Sequence, residues 1–416
     1  VICAAIGCTI AAVLVGASTG AVGLIVSVGA VIGGIAGGTV PIRGRTVDEW
    51  APSLWRFARV HGHSELLGVE LIDLGALVGR DHLGCMAVAG APTIVVRLAC
   101  QGISLLTPGE RDRLVNGLTG ALDLLAREGS SVSRVSLSAT IVDDDGASLL
   151  RDLRRRCRGE LDVAISSYRE LLGAVSGDLP SAVVDLVLRG RPERALQADG
   201  ILGLLGDADQ VLRALEEAGH PRGRILSEVE LIEDLGARVG GCLASEGGRL
   251  SICGSARFDH LELDGELARS WWVAEWPRHE VSSELLAPVV LGATPLALTI
   301  VFEPISPGAA LRRAQVARTK GVADDEVRRR GGFLADRRRQ REAEHLERRE
   351  AELVDGHGSL RFAGFLSIRA SDAEALRERS IAVELAAAQA GLRLQRCQGD
   401  HAQGFVAALP LTTGLR

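Results

Sequence analysis

The first 42 residues carry no charged side chain, and that stretch constrains the chain more than any other. Two apolar runs, 1–17 and 21–40, flank Ser18-Thr19-Gly20, which has the composition of a tight turn. A bilayer core takes roughly 20 helical residues, so the pair reads as a transmembrane helical hairpin over 1–42. A cleaved secretion signal would have a basic start and one shorter apolar run. Gly29, Gly33 and Gly37 recur every fourth residue, a spacing that lets membrane helices pack closely. Arg43, Arg45, Arg56 and Arg59 follow, and such a bias favours a cytoplasmic exit. The expectation is a multi-pass protein of the cell membrane, in contact with the lipid bilayer, whose remaining domains are cytoplasmic. Trp50 and Trp55 lie in a juxtamembrane segment, 43–66, and suit an anchor at headgroup depth.

Beyond residue 66 the apolar periods alternate between those of strands and helices. Strands are expected at 93–99 (TIVVRLA), 135–142 (VSLSATIV), 182–188, 269–275, 296–302 (LALTIVF), 359–368, 392–396 and 405–409. The alternation in 135–142 predicts a half-buried strand. Thr107-Pro108-Gly109-Glu110 is a capping box with proline in the first turn, which opens a helix running to about 128. Further helices are expected at 147–158, 162–175, 201–219, from Ser227 to Gly240-Gly241, and over 371–390. The stretch 309–355 is charged almost throughout, with 13 basic and 9 acidic residues from Arg312 to Glu352. It reads as a solvated helical insertion laced with i,i+4 pairs. Strand, long helices, strand, helix, strand is a split βαβ order. The expected fold class is therefore α+β, a transmembrane hairpin followed by two ferredoxin-like units, 67–255 and 256–416.

Several chemistries are disfavoured. Lys320 is the only lysine, and no G-x-x-x-x-G precedes it, so a phosphate loop of the Walker type is excluded. The eight cysteines show no C-x-x-C pair and no zinc spacing, and they read as small buried hydrophobes. His61-Gly62-His63 has no third ligand nearby, so no metal and no cofactor is expected. Asp143-Asp144-Asp145-Gly146 follows a strand, where a turn and N-cap outweigh a magnesium site. An enzyme built on Asp143–Asp145 with His82 or His260 finds no supporting motif. No catalytic residue is assigned.

The rare tryptophans are concentrated in ARSWWVAEWPR, residues 268–278, where three of the five lie. In a strand Trp271 and Val273 face one side, Trp272 and Ala274 the other, and Pro277 ends pairing. Glu275 and Glu280 sit among the rings, which disfavours a nucleic-acid stacking platform. Tryptophan is enriched in interface hot spots. The expectation is that one of Trp271 and Trp272 is structural and that the other joins Trp276 in a protein interface, with all three as ordinary core the open alternative.

The C-terminal block GHGSLRFAGFLSIRASDAEALRERSIAVELAAAQAGLRLQRCQGDHAQGFVAALPL resembles the last part of the N-terminal domain of conjugative ATPases that power type IV secretion. Phe362-Ala363-Gly364, Ala388-Gln389-Ala390-Gly391 and Ala408-Leu409-Pro410 carry that likeness. The family's motor domain would begin where this chain reaches Arg416. GRTVDEW, LLTPGERDRLVNGLTGALDLLAREGS, ISSYRELL and RSWWVAEWPRHEV are similar to an actinobacterial family of hairpin-anchored, motor-less relatives of that ATPase. The resemblance implies a non-enzymatic, membrane-anchored component of a type IV-like secretion apparatus. Its expected partners are the secretion ATPase and other membrane subunits, within a homo- or hetero-oligomer and without a small-molecule substrate. The smallest membrane subunit of type VII (ESX) translocons, and a nucleic-acid-binding adaptor, stand as alternatives.

Overall fold

The computed structural model describes residues 62–79, 82–99, 106–127, 129–143, 180–192, 197–277, 281–292, 295–305 and 359–414, with a few more at 55–58, 166–171 and 308–319. The first half runs β1 (Gly62–Ile72), α1 (Leu74–Val78), β2 (Cys85–Val88), β3 (Ala91–Leu98), α2 (Pro108–Leu125), β4 (Val132–Asp143), β5 (Pro180–Gly190), α3 (Ala198–Glu217), β6 (Arg224–Ile225) and α4 (Glu228–Val239). The second half runs β7 (Leu243–Glu246), β8 (Arg249–Ala256), β9 (Leu261–Leu263), β10 (Glu266–Glu275), α5 (Ala287–Val290), β11 (Leu296–Ile305), β12 (Ser359–Ala370), α6 (Ala373–Gln389), β13 (Arg393–Arg396) and α7 (His401–Ala408).

The strands do not form two separate units. They pair in the order β1-β2-β3-β5-β4-β11-β12-β10-β9-β8, and β8 returns to β1, so ten antiparallel strands close one barrel. The expected pair of ferredoxin-like units is thereby corrected. The order is a palindrome about two seams. At one seam β4 meets β11 with Ser138 opposite Thr299, and at the other β1 meets β8 from Gly62↔Ala256 to Glu70↔Arg249. Closure removes the free edges that an open sheet of this size would expose.

Each half also threads a helix into the lumen. The outer edge of β3 is shared by β2 and β6, and that of β10 by β9 and β13. The chain crosses the wall after β6 and after β13, and continues as α4 and α7. Leu231, Leu235 and Val239 of α4 and Phe405 of α7 pack with Val69, Met86, Val88, Val95, Val187, Leu250, Ile252, Leu261 and Ala268 from the surrounding strands. Eight strands enclose about enough room for their own side chains, so a ten-stranded lumen needs extra filling. Small wall residues make space for it: a Cβ on Gly404 of α7 would stand 2.8 Å from Ser270 Cβ. The expected strand at 405–409 is consequently a helix, and its physical reason is burial on every side.

Outside the wall, α2 and α3 cover β3, β4 and β5 through Ala121, Leu125, Ile201, Leu204, Leu205 and Val211. α5 and α6 cover β10, β11 and β12 through Val289, Leu376, Val383 and Ala387. The capping box of α2 is formed, with Glu110 accepting from Thr107 N–H at 2.8 Å. The box of α4 is formed by Ser227 and Glu230. Among the described residues no helix is long and apolar enough to cross a membrane, and the expectation of a multi-pass helical membrane protein is corrected on that finding. The hairpin of 1–42, with Gly29, Gly33 and Gly37, lies outside the described residues, as do Trp50, the helices of 147–158 and most of the charged insertion.

Candidate interaction sites

β10 builds the tryptophan block into the barrel wall. Trp271 is fully buried on the outer face beneath α6, packed with Leu366, Ile368 and Val383. Its Nε1 donates to Glu384 Oε1 at 2.9 Å, and Arg396 Nε donates to the same oxygen at 2.6 Å. Burial pushes the Glu384 carboxyl up, but the bonds from Arg396 and Trp271 outweigh it and leave it below the ordinary carboxylate value. Trp272 points the other way, half-buried in the lumen against Val301, Phe365, Ala407 and Ala408. Pairing stops at Glu275, two residues before Pro277.

Trp276 turns back over Gly364, where an added Cβ would lie 2.7 Å from Cζ2. Its ring meets Phe362 edge-on with centroids 5.4 Å apart, and Phe362 meets Phe302 at 6.2 Å. Phe362 is 48% exposed. The block thus divides by position: Trp271 is core, Trp272 lines the lumen, and Trp276 joins an aromatic strip that reaches solvent across β10, β12 and β11.

The lumen holds a charge network that the sequence did not announce. Asp185 of β5 is wholly buried and accepts from Arg97 Nε of β3 and Arg238 Nη2 of α4, each at 2.5 Å. Asp234, one turn before Arg238, accepts from Arg238 Nε at 2.7 Å and from Arg97 Nη2 at 2.5 Å. Arg238 also donates to Thr140 Oγ1 of β4. Two guanidiniums and two carboxylates neutralise one another, as buried charges must. Burial still dominates at Asp185 and moves its carboxyl upward, against the pull of Arg238 and Arg97. The only sequence signal for this network is the i,i+4 spacing of Asp234 and Arg238.

The second lumen helix is fixed by neutral groups. Thr299 Oγ1 of β11 donates to the Ala408 carbonyl at 2.7 Å, and Ser138 Oγ lies 2.9 Å from it across the seam. His401, at the start of α7, accepts the Ser270 N–H on Nδ1 at 3.1 Å. Its Nε2 has no partner among the described residues. Burial first, with Arg269 nearby, holds its imidazole down at about 3, so this histidine is neutral at physiological pH.

Between α4 and α7, at the end of the barrel where β4 finishes and β11 begins, lies a cavity of about 470 Å³. Its walls combine Asp234, Arg238, Glu266, Ser367, Arg369 and Arg379 with Ile141, Leu296, Phe405 and Leu409.

The residues weighed for catalysis are not brought together. Asp143 ends β4, and Asp144 and Asp145 lie outside the described residues. His82 is exposed beside α3, lining an outer cleft with Asp209 and Arg213. His260 bonds Asp259 Oδ1 through Nδ1 at 2.8 Å in the turn before β9. Among the described residues no three His, Cys, Asp or Glu side chains are placed to hold a metal. Burial raises the Cys85 thiol to about 12, an inert setting. No protein-family model and no curated protein matches this chain.

Proposed function

We propose that this chain is a non-catalytic structural subunit of a type IV-like secretion apparatus, and that it docks the ATPase of that apparatus. The observation that carries the reading is what fills the barrel. The lumen holds the chain's own α4 and α7, and the charges of Arg97, Arg238, Asp185 and Asp234 are spent on each other. The fold therefore offers partners its outer wall and rim. On the outer wall, the Trp276–Phe362–Phe302 strip supplies exposed aromatic surface of the type that anchors protein interfaces. The block that resembles the conjugative ATPases occupies β12, α6, β13 and α7, a continuous piece that includes this strip's central ring. A relative that shares this piece with the motor protein has a ready route to associate with it, through like surfaces.

The test is co-expression with the P-loop ATPase of a type IV-like secretion locus, followed by size-exclusion chromatography of the purified pair. Co-elution is expected, and Phe362→Ser, a change at a half-exposed side chain, should abolish it with little loss of melting temperature. Separate elution of two folded proteins at micromolar concentration would remove the docking role.

A further inference from the structure

The cavity between the two lumen helices has a charge imbalance. Among the described residues, four guanidiniums, Arg97, Arg238, Arg369 and Arg379, stand in or directly behind its wall against three carboxylates, Asp185, Asp234 and Glu266. Arg97 and Arg238 are balanced by the two aspartates. Arg369 is balanced by Glu266 at 3.0 Å and donates to the Ala237 carbonyl at 3.3 Å. Arg379 is the surplus cation. It donates through Nη1 to the Arg369 carbonyl at 2.6 Å, and among the described residues no carboxylate pairs with it. Asp372 lies within electrostatic reach of Arg379 but makes no ion pair with it, its two oxygens accepting from the Ala375 N–H and the Ser371 hydroxyl. A part-buried guanidinium with spare donors beside a cavity is an anion-binding element.

Another part of the wall is apolar, formed by Ala297, Phe405 and Leu409. The volume falls within the range of small-molecule sites, roughly 300–1,000 Å³, which combine apolar lining with a few convergent polar groups. We propose that this cavity binds a small organic monoanion, a carboxylate carried on a short apolar body. The carboxylate sits against Arg379, with Arg369 beside it, and the apolar body lies on Ala297, Phe405 and Leu409. One surplus positive charge suits a monoanion. The apolar wall disfavours an inorganic phosphate, which would lose its hydration there without replacement bonds. Because the walls come from both lumen helices and from both halves of the palindrome, an occupant would tie α4 to α7. This ligand site is independent of the docking surface, which lies on the outer wall.

The experiment is isothermal titration of the full chain at pH 7 with two probe acids, 4-phenylbutyrate and octanoate, each beside its neutral amide. Saturable binding of one acid per chain is expected, with the amide at least tenfold weaker. Arg379→Gln should weaken the acid about tenfold and leave the amide unchanged. Ala297→Leu, which fills the cavity from β11, should remove binding of both, with folding checked by melting temperature. Absence of binding by both acids at millimolar concentration overturns the proposal. So does equal binding of acid and amide, or acid binding that Arg379→Gln does not weaken. If Ala297→Leu does not fold, the Arg379→Gln comparison still decides the matter.

Discussion

Replacing Arg238 with methionine tests whether the lumen charges position α4. Arg238 is 7% exposed and, among the described residues, is the one group that bonds Asp185, Asp234 and Thr140 together. Methionine keeps the apolar stem and removes the guanidinium with its charge. Asp185, which is wholly buried, then keeps one cation, and Arg97 must serve two carboxylates alone. Breaking a buried pair by removing one partner costs about 3–5 kcal/mol, because the remaining charge stays uncompensated. With a urea m-value of about 3 kcal/mol/M, the midpoint should fall by about 1–1.7 M. The double change Arg238→Met with Asp185→Leu leaves a balanced Arg97–Asp234 pair and should recover most of the loss. A double-mutant cycle would then report coupling of about 3 kcal/mol or more. The pH dependence has a definite sign. Burial already raises the Asp185 carboxyl above its unfolded value of 3.8, and loss of Arg238 raises it further. The folded state then holds the proton more tightly, so stability falls as pH rises through that window. The deficit of Arg238→Met should therefore shrink as pH is lowered from neutral toward the ordinary carboxylate range. A single variant within about 1 kcal/mol of wild type at pH 7 would refute the reasoning.

Three further outcomes are expected. His401 is held down at about 3, so the unfolded chain takes up a proton that the folded chain refuses. Stability should fall as pH drops from 6.5 toward 3, by up to about 1.4 kcal/mol per unit, and His401→Asn should flatten that slope in melting experiments at pH 7 and 5. Gly364→Ala brings a Cβ within 2.7 Å of Trp276 and 2.8 Å of Val273; a cost of about 1–3 kcal/mol and a changed tryptophan emission should follow. Trp271→Phe removes a buried indole and its bond to Glu384, so thermal stability should drop by about 1–3 kcal/mol while ATPase co-elution is unchanged. Loss of the partner at an unchanged melting temperature would show that Trp271 reaches an interface.

The elements that could be read along the chain are those with strong local signals. β3, β4, β5, β10, β11 and β12 carry β-branched or alternating apolar runs, and the capping box at Thr107 appears where its spacing placed it. The start of α6 shows a small difference: Asp372, and not Ser371, caps it by accepting from Ala375 N–H at 2.9 Å. β1, β2, β6, β7, β8 and β9 are not among the expected strands. Four residues at β2 and three at β9 are too few for a period, and their partners come from hairpins or from far along the chain. α7 was misread because Phe405-Val406-Ala407-Ala408-Leu409 is apolar without interruption. A short run of that kind has no amphipathic face to separate helix from strand.

The polar positions of the wall were the deeper difficulty. Ser136 and Ser138 alternate with apolar residues as the solvent side of a sheet would, yet both are fully buried, facing the lumen. Asp185 is the same case in β5, where Leu186 and Leu188 take the outer face under α3. Alternation reports that two faces differ, and it does not say which one meets water. That choice depends on whether the sheet closes, and closure depends on β1 pairing with β8 from Gly62↔Ala256 onward, a contact between residues far apart in the chain. Local chemistry therefore determined the strands, the helix caps and the division of the tryptophans between two faces. Only the closed barrel decided that one of those faces is an interior, because an interior wide enough for two helices must be filled and its charges must be paired within it.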